Sequence, residues 1–266
     1  MVQVLLPGIE LLGVVECAIV VQRPAGSVTR FPAMPRAMLT LAPVHGGAAA
    51  VSFYAVSTRA ATHTHGQAMH ALGLVLPPVT AARLLGMSTG ALVDAALPWA
   101  ELAGRPEAAR LDDALHVARS DAARLVALQG SLLRVLDRGP ERVQRARAES
   151  VQRLCAAVSR DGARAASALG LGERQLERRC RAVLGLTPKQ LQRMARMHGL
   201  LSSALRQQKL PDAEVALAAG FYDQSHLARE TRLLTGTTLR ELLQEAHADG
   251  PWWPLATQRL MAPRLG

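Results

Sequence analysis

Aromatic side chains are scarce, only 3% of the 266 residues, so a core built from this chain must be filled mainly by Leu, Val and Ala. Lysine is almost missing: Lys189 and Lys209 are the only two among 31 basic residues, a bias that base composition alone can produce. There are three cysteines, Cys17, Cys155 and Cys180, odd in number and far apart, with no CxxC and no Cys/His pair at zinc spacing. That pattern excludes a disulfide framework and a zinc module, and reads as three buried thiols in a reducing compartment. No GxSxG, Walker loop or GxGxxG is present, which removes the commonest hydrolase and nucleotide-binding signatures. The apolar N-terminus has no basic leader and is interrupted by Pro7, Glu10 and Glu16. It reads as neither a signal peptide nor a membrane span, and a cytoplasmic protein is expected.

What is present is a globular composition, 49% hydrophobic and 20% charged, on a chain with a net charge of +10. The excess is spread along the chain: 17 basic against 11 acidic residues from position 149 onward, and 14 against 10 before it. Such a charge fits a polyanionic partner and salt-sensitive binding.

The pattern divides the chain. Short β-rich runs at 14–22, 36–43, 48–57 and 70–78, punctuated by Pro and Gly, predict a small sheet or half-barrel. From Val79 the period becomes helical, with helices expected over 80–87 and 88–97. A long one is expected over Leu111–Arg138, where Leu115, Ala118, Ala122, Leu125, Leu128, Leu132, Leu133 and Leu136 recur at helical steps; Gly130 is a candidate break. Gly139-Pro140 marks an end; ERVQRARAES follows as a charged linker that can itself be helical, and a first helix of the next part is expected over about 149–159. The expected organisation is an α+β domain over 1–145, an all-α domain over 146–248 and an irregular tail over 249–266 carrying Trp252 and Trp253.

The all-α part contains one motif twice. Ala166, Gly170 and Leu171 align with Ala216, Gly220 and Phe221 at an offset of 50; Leu176, Arg178, Gly185 and Thr187 align with Leu227, Arg229, Gly236 and Thr238 at 51. In each copy a short helix ends at a glycine suited to positive φ, an apolar plug follows, and then a cap, Gly172 or Asp223. Between the copies, Thr187-Pro188 starts a helix to about residue 206, with Thr187 as cap and Pro188 at the first helical position. Roughly 18 residues span about 27 Å, enough to set two recognition helices near the repeat of B-DNA. With Leu176 and Leu227 inward, the outward candidates in the first copy are Glu173, Arg174, Gln175, Glu177, Arg178 and Arg181. In the second they are Gln224, Ser225, His226, Ala228, Arg229 and Arg232. Arg can pair bidentately with guanine, Gln with adenine, and Glu can accept from cytosine.

The stretches LGLGERQLERRCRAVLGLTPKQL and AEVALAAGFYDQSHLARETRLLTGTTLREL resemble the DNA-binding domain of the AraC/XylS family of bacterial transcription regulators, over about 150–245. The resemblance implies that Arg174, Glu177 and Arg178 face one major groove and Gln224, Ser225, His226 and Arg229 the next. This chain departs from the family in having Cys180 and Thr231 at aromatic positions, Gly172 at a Ser/Thr position and Leu239 at a Pro position. Loss of the aromatics removes buried apolar area, which leaves the domain either less stable or repacked around Leu184, Leu233 and Leu234. Residues 72–104 resemble, less specifically, the sensor-like domain that precedes this module in some members. That implies an effector-binding or dimerisation role.

The remaining candidates read as structural. His63, His65 and His70 sit among Ser, Thr and Gly with no acidic or Cys neighbour, which favours an exposed loop over a metal site; His45 beside Gly46-Gly47 reads as a turn. Glu101, Asp112 and Asp113 stand near helix starts with no nucleophile beside them. The reading is a non-enzymatic regulator without cofactor or metal. Its partners are double-stranded promoter DNA, a small-molecule effector, a second copy through 111–138 and RNA polymerase, with no membrane. Two rivals stand beside it: a DNA-repair enzyme fused to the same module, which would need a reactive Cys17, and a dimerising co-regulator with little specific DNA binding.

Overall fold

The computed structural model describes residues 1–43, 49–85, 92–138, 141–207, 209–246 and 250. The N-terminal half is built on an open six-stranded antiparallel sheet in the order β1-β2-β7-β4-β5-β8. The strands are β1 (Val2–Leu5), β2 (Cys17–Arg23), β4 (Ala37–Pro43), β5 (Ala49–Tyr54), β7 (Met69–Leu76) and β8 (Ala96–Pro98). A separate pair, β3 (Val28–Phe31) with β6 (Ala61–Thr64), completes the β layer. The four expected strands are all present. The four short ones in addition, β1, β3, β6 and β8, carry too few apolar residues or too little alternation to be read from pattern.

The alternation of strand side chains gives the sheet two faces. Ala18, Val20, Ala37, Leu39, Leu41, Val51, Phe53, Leu72, Leu74 and Leu76 point one way. Helices α2 (Trp99–Ala103), α3 (Arg105–Val117) and α4 (Asp121–Leu136) cover them. Cys17, Ile19 and Val21 point the other way, toward Val4, Phe31 and Met38. This double burial is why β2 is apolar almost throughout. A buried polar chain fastens the helical layer: Trp99 Nε1 donates to Ser131 Oγ (3.0 Å), which donates to Glu107 Oε1 (2.8 Å). Arg134 adds a forked pair to the same carboxylate, 2.9 to 3.1 Å. Burial alone would raise Glu107, but the Arg134 fork and the Ser131 hydroxyl outweigh it and hold the group below its ordinary value.

Three helical expectations change. The long helix over 111–138 is two helices, broken at Ala118–Ser120 rather than at Gly130, because Ser120 caps α4 by accepting from Ala123 N–H (3.2 Å). Over 88–97, residues 92–94 form a turn, with Asp94 at φ 60° accepting from the Thr58 N–H and hydroxyl, and 96–98 join the sheet; 86–91 lie outside the described residues. The charged stretch 141–148 is helical throughout. It forms the first turns of α5 (Glu141–Arg160), which packs on α1 (Pro78–Leu85) and on α8 (Pro188–Gln207). The 45–47 turn, the Gly139-Pro140 stop and Trp252 and Trp253 lie outside the described residues. Among the described residues no helix is long and apolar enough to cross a membrane.

Past Arg160 the chain is helical: α6 (Ala165–Ala168), α7 (Glu173–Leu184), α8, α9 (Ala213–Ala218), α10 (Gln224–Thr235) and α11 (Leu239–Glu245). Their core gathers Leu154, Leu176, Cys180, Leu184, Met194, Met197, Leu201, Phe221, Leu227, Leu234 and Leu242. Ala33, Val56 and Ala82 of the N-terminal half join it, so the two halves share one interior surface.

Candidate nucleic-acid interface

The turns of the two copies are built alike, bond for bond. In the first, Gly170 takes φ 64° and Leu171 N–H donates back to Ala166 C=O at 2.9 Å. In the second, Gly220 takes φ 83° and Phe221 N–H donates to Ala216 C=O at 3.0 Å. A left-handed turn closed this way swings the chain from one helix into the next, and a side chain larger than hydrogen is strained there. Each second helix also ends on a left-handed glycine, Gly185 for α7 and Gly236 for α10.

The caps differ. Asp223 accepts from His226 N–H at 2.5 Å. Gly172 has no acceptor to offer, and Gln175 Oε1 instead reaches back to Gly172 N–H at 2.9 Å. Helix α8 starts with a full reciprocal cap between Thr187 and Gln190, 2.9 and 3.1 Å. Its 20 residues give a rod of about 30 Å between the two copies.

Cys180 and Thr231, where the resemblance leads one to expect aromatics, are fully buried. The Thr231 hydroxyl donates to Leu227 C=O one turn back (2.8 Å) and lies 3.8 Å from Met197 Sδ of α8. Leu184 and Leu234 pack into this core, but Leu233 is 59% exposed and takes no part in the expected repacking.

The candidate reading residues fall into two groups. Arg174, Arg178, Ser225, Arg229 and Arg232 are exposed, and make no hydrogen bond or ion pair through their side chains among the described residues; so does Gln224. Four others are already engaged. Gln175 caps α7 with its oxygen. Glu177 pairs with Arg181 one turn on, at 2.8 Å. His226 turns inward: its Nδ1 accepts from Tyr222 N–H (3.1 Å), its ring meets Phe221 edge-on (5.7 Å) and Nε2 lies 4.0 Å from Glu230. Glu173 and Ala228 are exposed, as expected from their places beside Leu176 and Leu227.

Several residues at this face escaped the sequence reading. Arg193 Nε on α8 donates to Glu230 Oε2 of α10 at 2.7 Å, in a largely buried pair. Arg196, three residues on, donates to Gly220 C=O (2.7 Å) and lies over the Phe221 ring. Arg179 of α7 donates to Ser150 Oγ of α5 at 2.5 Å. Tyr222, 86% exposed, stands at the tip of the second turn. The signal for Arg193 and Arg196 was their spacing on the inward side of α8, legible only once that helix has neighbours on both flanks. An exposed aromatic in a turn was the signal for Tyr222.

The histidines of the N-terminal half are strand residues and their neighbours. His65 Nε2 and Thr29 Oγ1 share a hydrogen bond (2.8 Å), His63 meets Phe31 edge-on, and His70 Nε2 is 2.9 Å from Asp121 Oδ2. Burial, then Arg23 and His63, lowers His65 below its ordinary value. Among the described residues no three His, Cys, Asp or Glu side chains gather at one point.

Residues 165–245 match a family model described as a helix-turn-helix domain. No curated protein matches the chain. Among solved structures it is similar to ToxT from Vibrio cholerae O395, at 12% identity over 85% of this chain and 95% of that one, with a TM-score of 0.45. A second structure of ToxT from Vibrio cholerae gives 11% identity, 85% and 97% coverage and a TM-score of 0.46. Unsaturated fatty acid bound ToxT from strain SCE256 gives 10%, 84% and 93%, and 0.45. Identities and TM-scores this low assign no residue role, ligand or partner to this chain.

Proposed function

We propose that the chain, whose residues 165–245 match a helix-turn-helix domain and resemble the DNA-binding domain of AraC-type regulators, reads a promoter site with α7 and α10 in adjacent major grooves. The observation that carries this reading is the repeated turn, with the same backbone bonds at an offset of 50, followed each time by a helix with outward arginines, Arg174 and Arg178 in one and Arg229 and Arg232 in the other, whose side chains make no hydrogen bond or ion pair among the described residues. Arg174 and Arg178 read one half of the site. Gln224, Ser225 and Arg229 read the other, and Arg232 contacts the backbone. The Glu177–Arg181 pair, Gln175 and His226 orient their helices first and meet DNA second.

The N-terminal half, taken as 1–145 with 146–248 as the reading domain and 249–266 as a tail, is a sensor of a small molecule. A second copy docks through 111–138. The leucines of that stretch fill the core of their own domain, so the dimer contact falls on outward Val117 and Val126. RNA polymerase is the downstream partner. Covalent chemistry has little support: burial foremost pushes Cys17 and Cys155 up to about 12 and Cys180 up to about 11, so none offers a thiolate near neutral pH.

Selection of duplexes from a random pool, at two salt concentrations, tests the reading. Two enriched elements about one helical turn apart are expected. Arg174→Ala and Arg229→Ala should each weaken binding to the selected duplex by about 1–3 kcal/mol. Unchanged binding by both variants, or no enrichment and a smooth loss with salt, would sink it.

A further inference from the structure

The open sheet has two edges, and they are finished differently. At one, β8 is only three residues long, ends in Pro98 and runs straight into α2, so it offers little to a further strand. At the other stands β1, with β2 on its inner side alone. Met1 and Gln22 exchange both backbone bonds, at 2.9 and 2.8 Å. By the alternation of an antiparallel ladder, Gln3 and Leu5 then bond inward to β2, and the N–H and C=O groups of Val2 and Val4 point to the open edge. Among the described residues none takes these groups as hydrogen-bond partners.

An apolar patch lies beside that edge. Leu11, in the one-turn helix Ile9–Leu11, is buried under the helix-covered face of the sheet. Leu6, Ile9 and Leu12 around it are 73%, 88% and 65% exposed. Val2 and Val4 pack toward Ile19 and Val21 on the opposite face, so Leu5, also exposed, points to the side that carries the patch. Apolar groups gathered in this way mark a contact surface, whereas single ones do not.

Charge selects the partner. Two copies of a chain with a net charge of +10 repel each other over most of their surfaces. Residues 1–22 contain no Arg or Lys, against 31 in the whole chain. Their two carboxylates are Glu10 and Glu16, and Glu16 is taken by Arg36. A polyanion gains nothing here, and a second copy meets no repelling cation. The strand is also self-complementary. Laid antiparallel across a twofold axis at Gln3, Val2 faces the partner's Val4 and Val4 faces the partner's Val2, so each outward N–H meets an outward C=O. Leu5 then lies opposite the partner's Met1, an apolar pair on the face of the patch.

We propose that two copies of this chain associate through their β1 edges, pairing antiparallel into one continuous sheet, with Leu5, Leu6, Ile9 and Leu12 as the apolar flank. This surface is separate from the Val117 and Val126 contact proposed above and adds to it. A four-residue edge and one turn are small beside the roughly 800 Å² per partner of a standard interface, so the association is weak, on the order of micromolar. Two chains joined in this way carry recognition helices related by a twofold axis and hold an inverted pair of sites together. That consequence rests on the DNA reading; the pairing itself does not.

Sedimentation equilibrium over a concentration series, without DNA, tests the pairing. It is run on the unaltered chain and on a Val117→Lys, Val126→Lys chain, which lacks the other contact. Both are expected to dimerise, and the dissociation constant should hold or fall as salt rises, the opposite of DNA binding. In the second chain, Val4→Pro removes an outward N–H that β1 does not use within its own sheet. Ile9→Glu with Leu12→Glu places like charges on the patch. Each change should raise the dissociation constant at least about tenfold with the thermal midpoint kept. If Val4→Pro does not fold, the Glu pair decides. A Val117→Lys, Val126→Lys chain that stays monomeric, or a dimer that these β1 changes leave intact, would overturn the proposal. The difference between the two starting chains measures the 111–138 contact, so failure of that contact leaves the test of β1 in force.

Discussion

The two helix-turn-helix copies share a backbone and differ in their support. The first turn is plugged by Leu171, half-buried, and capped only by a reach-back from Gln175; the second is plugged by Phe221, 2% exposed, and capped by Asp223. The second also has Arg193 on Glu230, Arg196 on Gly220 and the Ala33 N–H on Leu234 C=O. Duplication thus conserved the part of the motif that makes the turn and left the holding of each recognition helix to its surroundings. A turn needs three or four residues in sequence; the angle of a helix is set by whatever packs beside it.

The largest effect should come from the plugs. Phe221→Ala is expected to cost about 3–5 kcal/mol in denaturant unfolding, and Leu171→Ala clearly less, since less area leaves water there. Equal costs would mean that the copies are supported alike. The turn glycines come next. Gly220→Ala should cost about 1–2 kcal/mol, because a left-handed residue gains a Cβ 3.2 Å from the Arg196 side chain. Gly170→Ala meets nothing within 4 Å and should stay near the lower end.

Acid acts on the helix between the copies through His198. Its folded pKa is depressed by burial, then by the Arg36 charge, so the unfolded chain binds the proton first and stability falls as pH drops from about 6.5 toward 3. The loss attributable to this group is at most about 1.4 kcal/mol per pH unit. A His198→Gln variant should show a shallower acid slope in thermal unfolding, and an identical slope would remove His198 from the account. The caps give the smallest changes. Asp223→Ala should cost about 1 kcal/mol, whereas Gly172→Ser, at an extended φ of −76° with room for its Cβ, should gain a few tenths. Both are read from thermal midpoints.

Legibility followed the same division. The four apolar strands, the duplicated turn, the glycines at positive φ and the caps Asp223 and Thr187 could all be read, because each is a local preference repeated within a few residues. The Ser120 cap was equally readable and was passed over for Gly130, a residue that a packed helix tolerates at modest cost. The polar strands β3 and β6 were not readable: VTRF and ATHT gain their regularity from pairing with each other. At the candidate interface, outward spacing identified Arg174, Arg178, Gln224, Ser225, Arg229 and Arg232, yet spacing could not tell that His226 is turned into Phe221 or that Leu233 points away from the core.

The sequence by itself determined the duplication, the turns, the basic character of the reading helices and the division into a β-rich and a helical half, since these depend on residues close along the chain. The tertiary structure alone decided which polar side chains were spent on orientation. It also decided that residues 30–36 reach helices about 160 to 215 positions away, through the Ala33–Leu234, Arg36–His198 and Arg30–Glu245 contacts. Contacts of that span depend on how two separately formed surfaces meet, and no local periodicity carries that information.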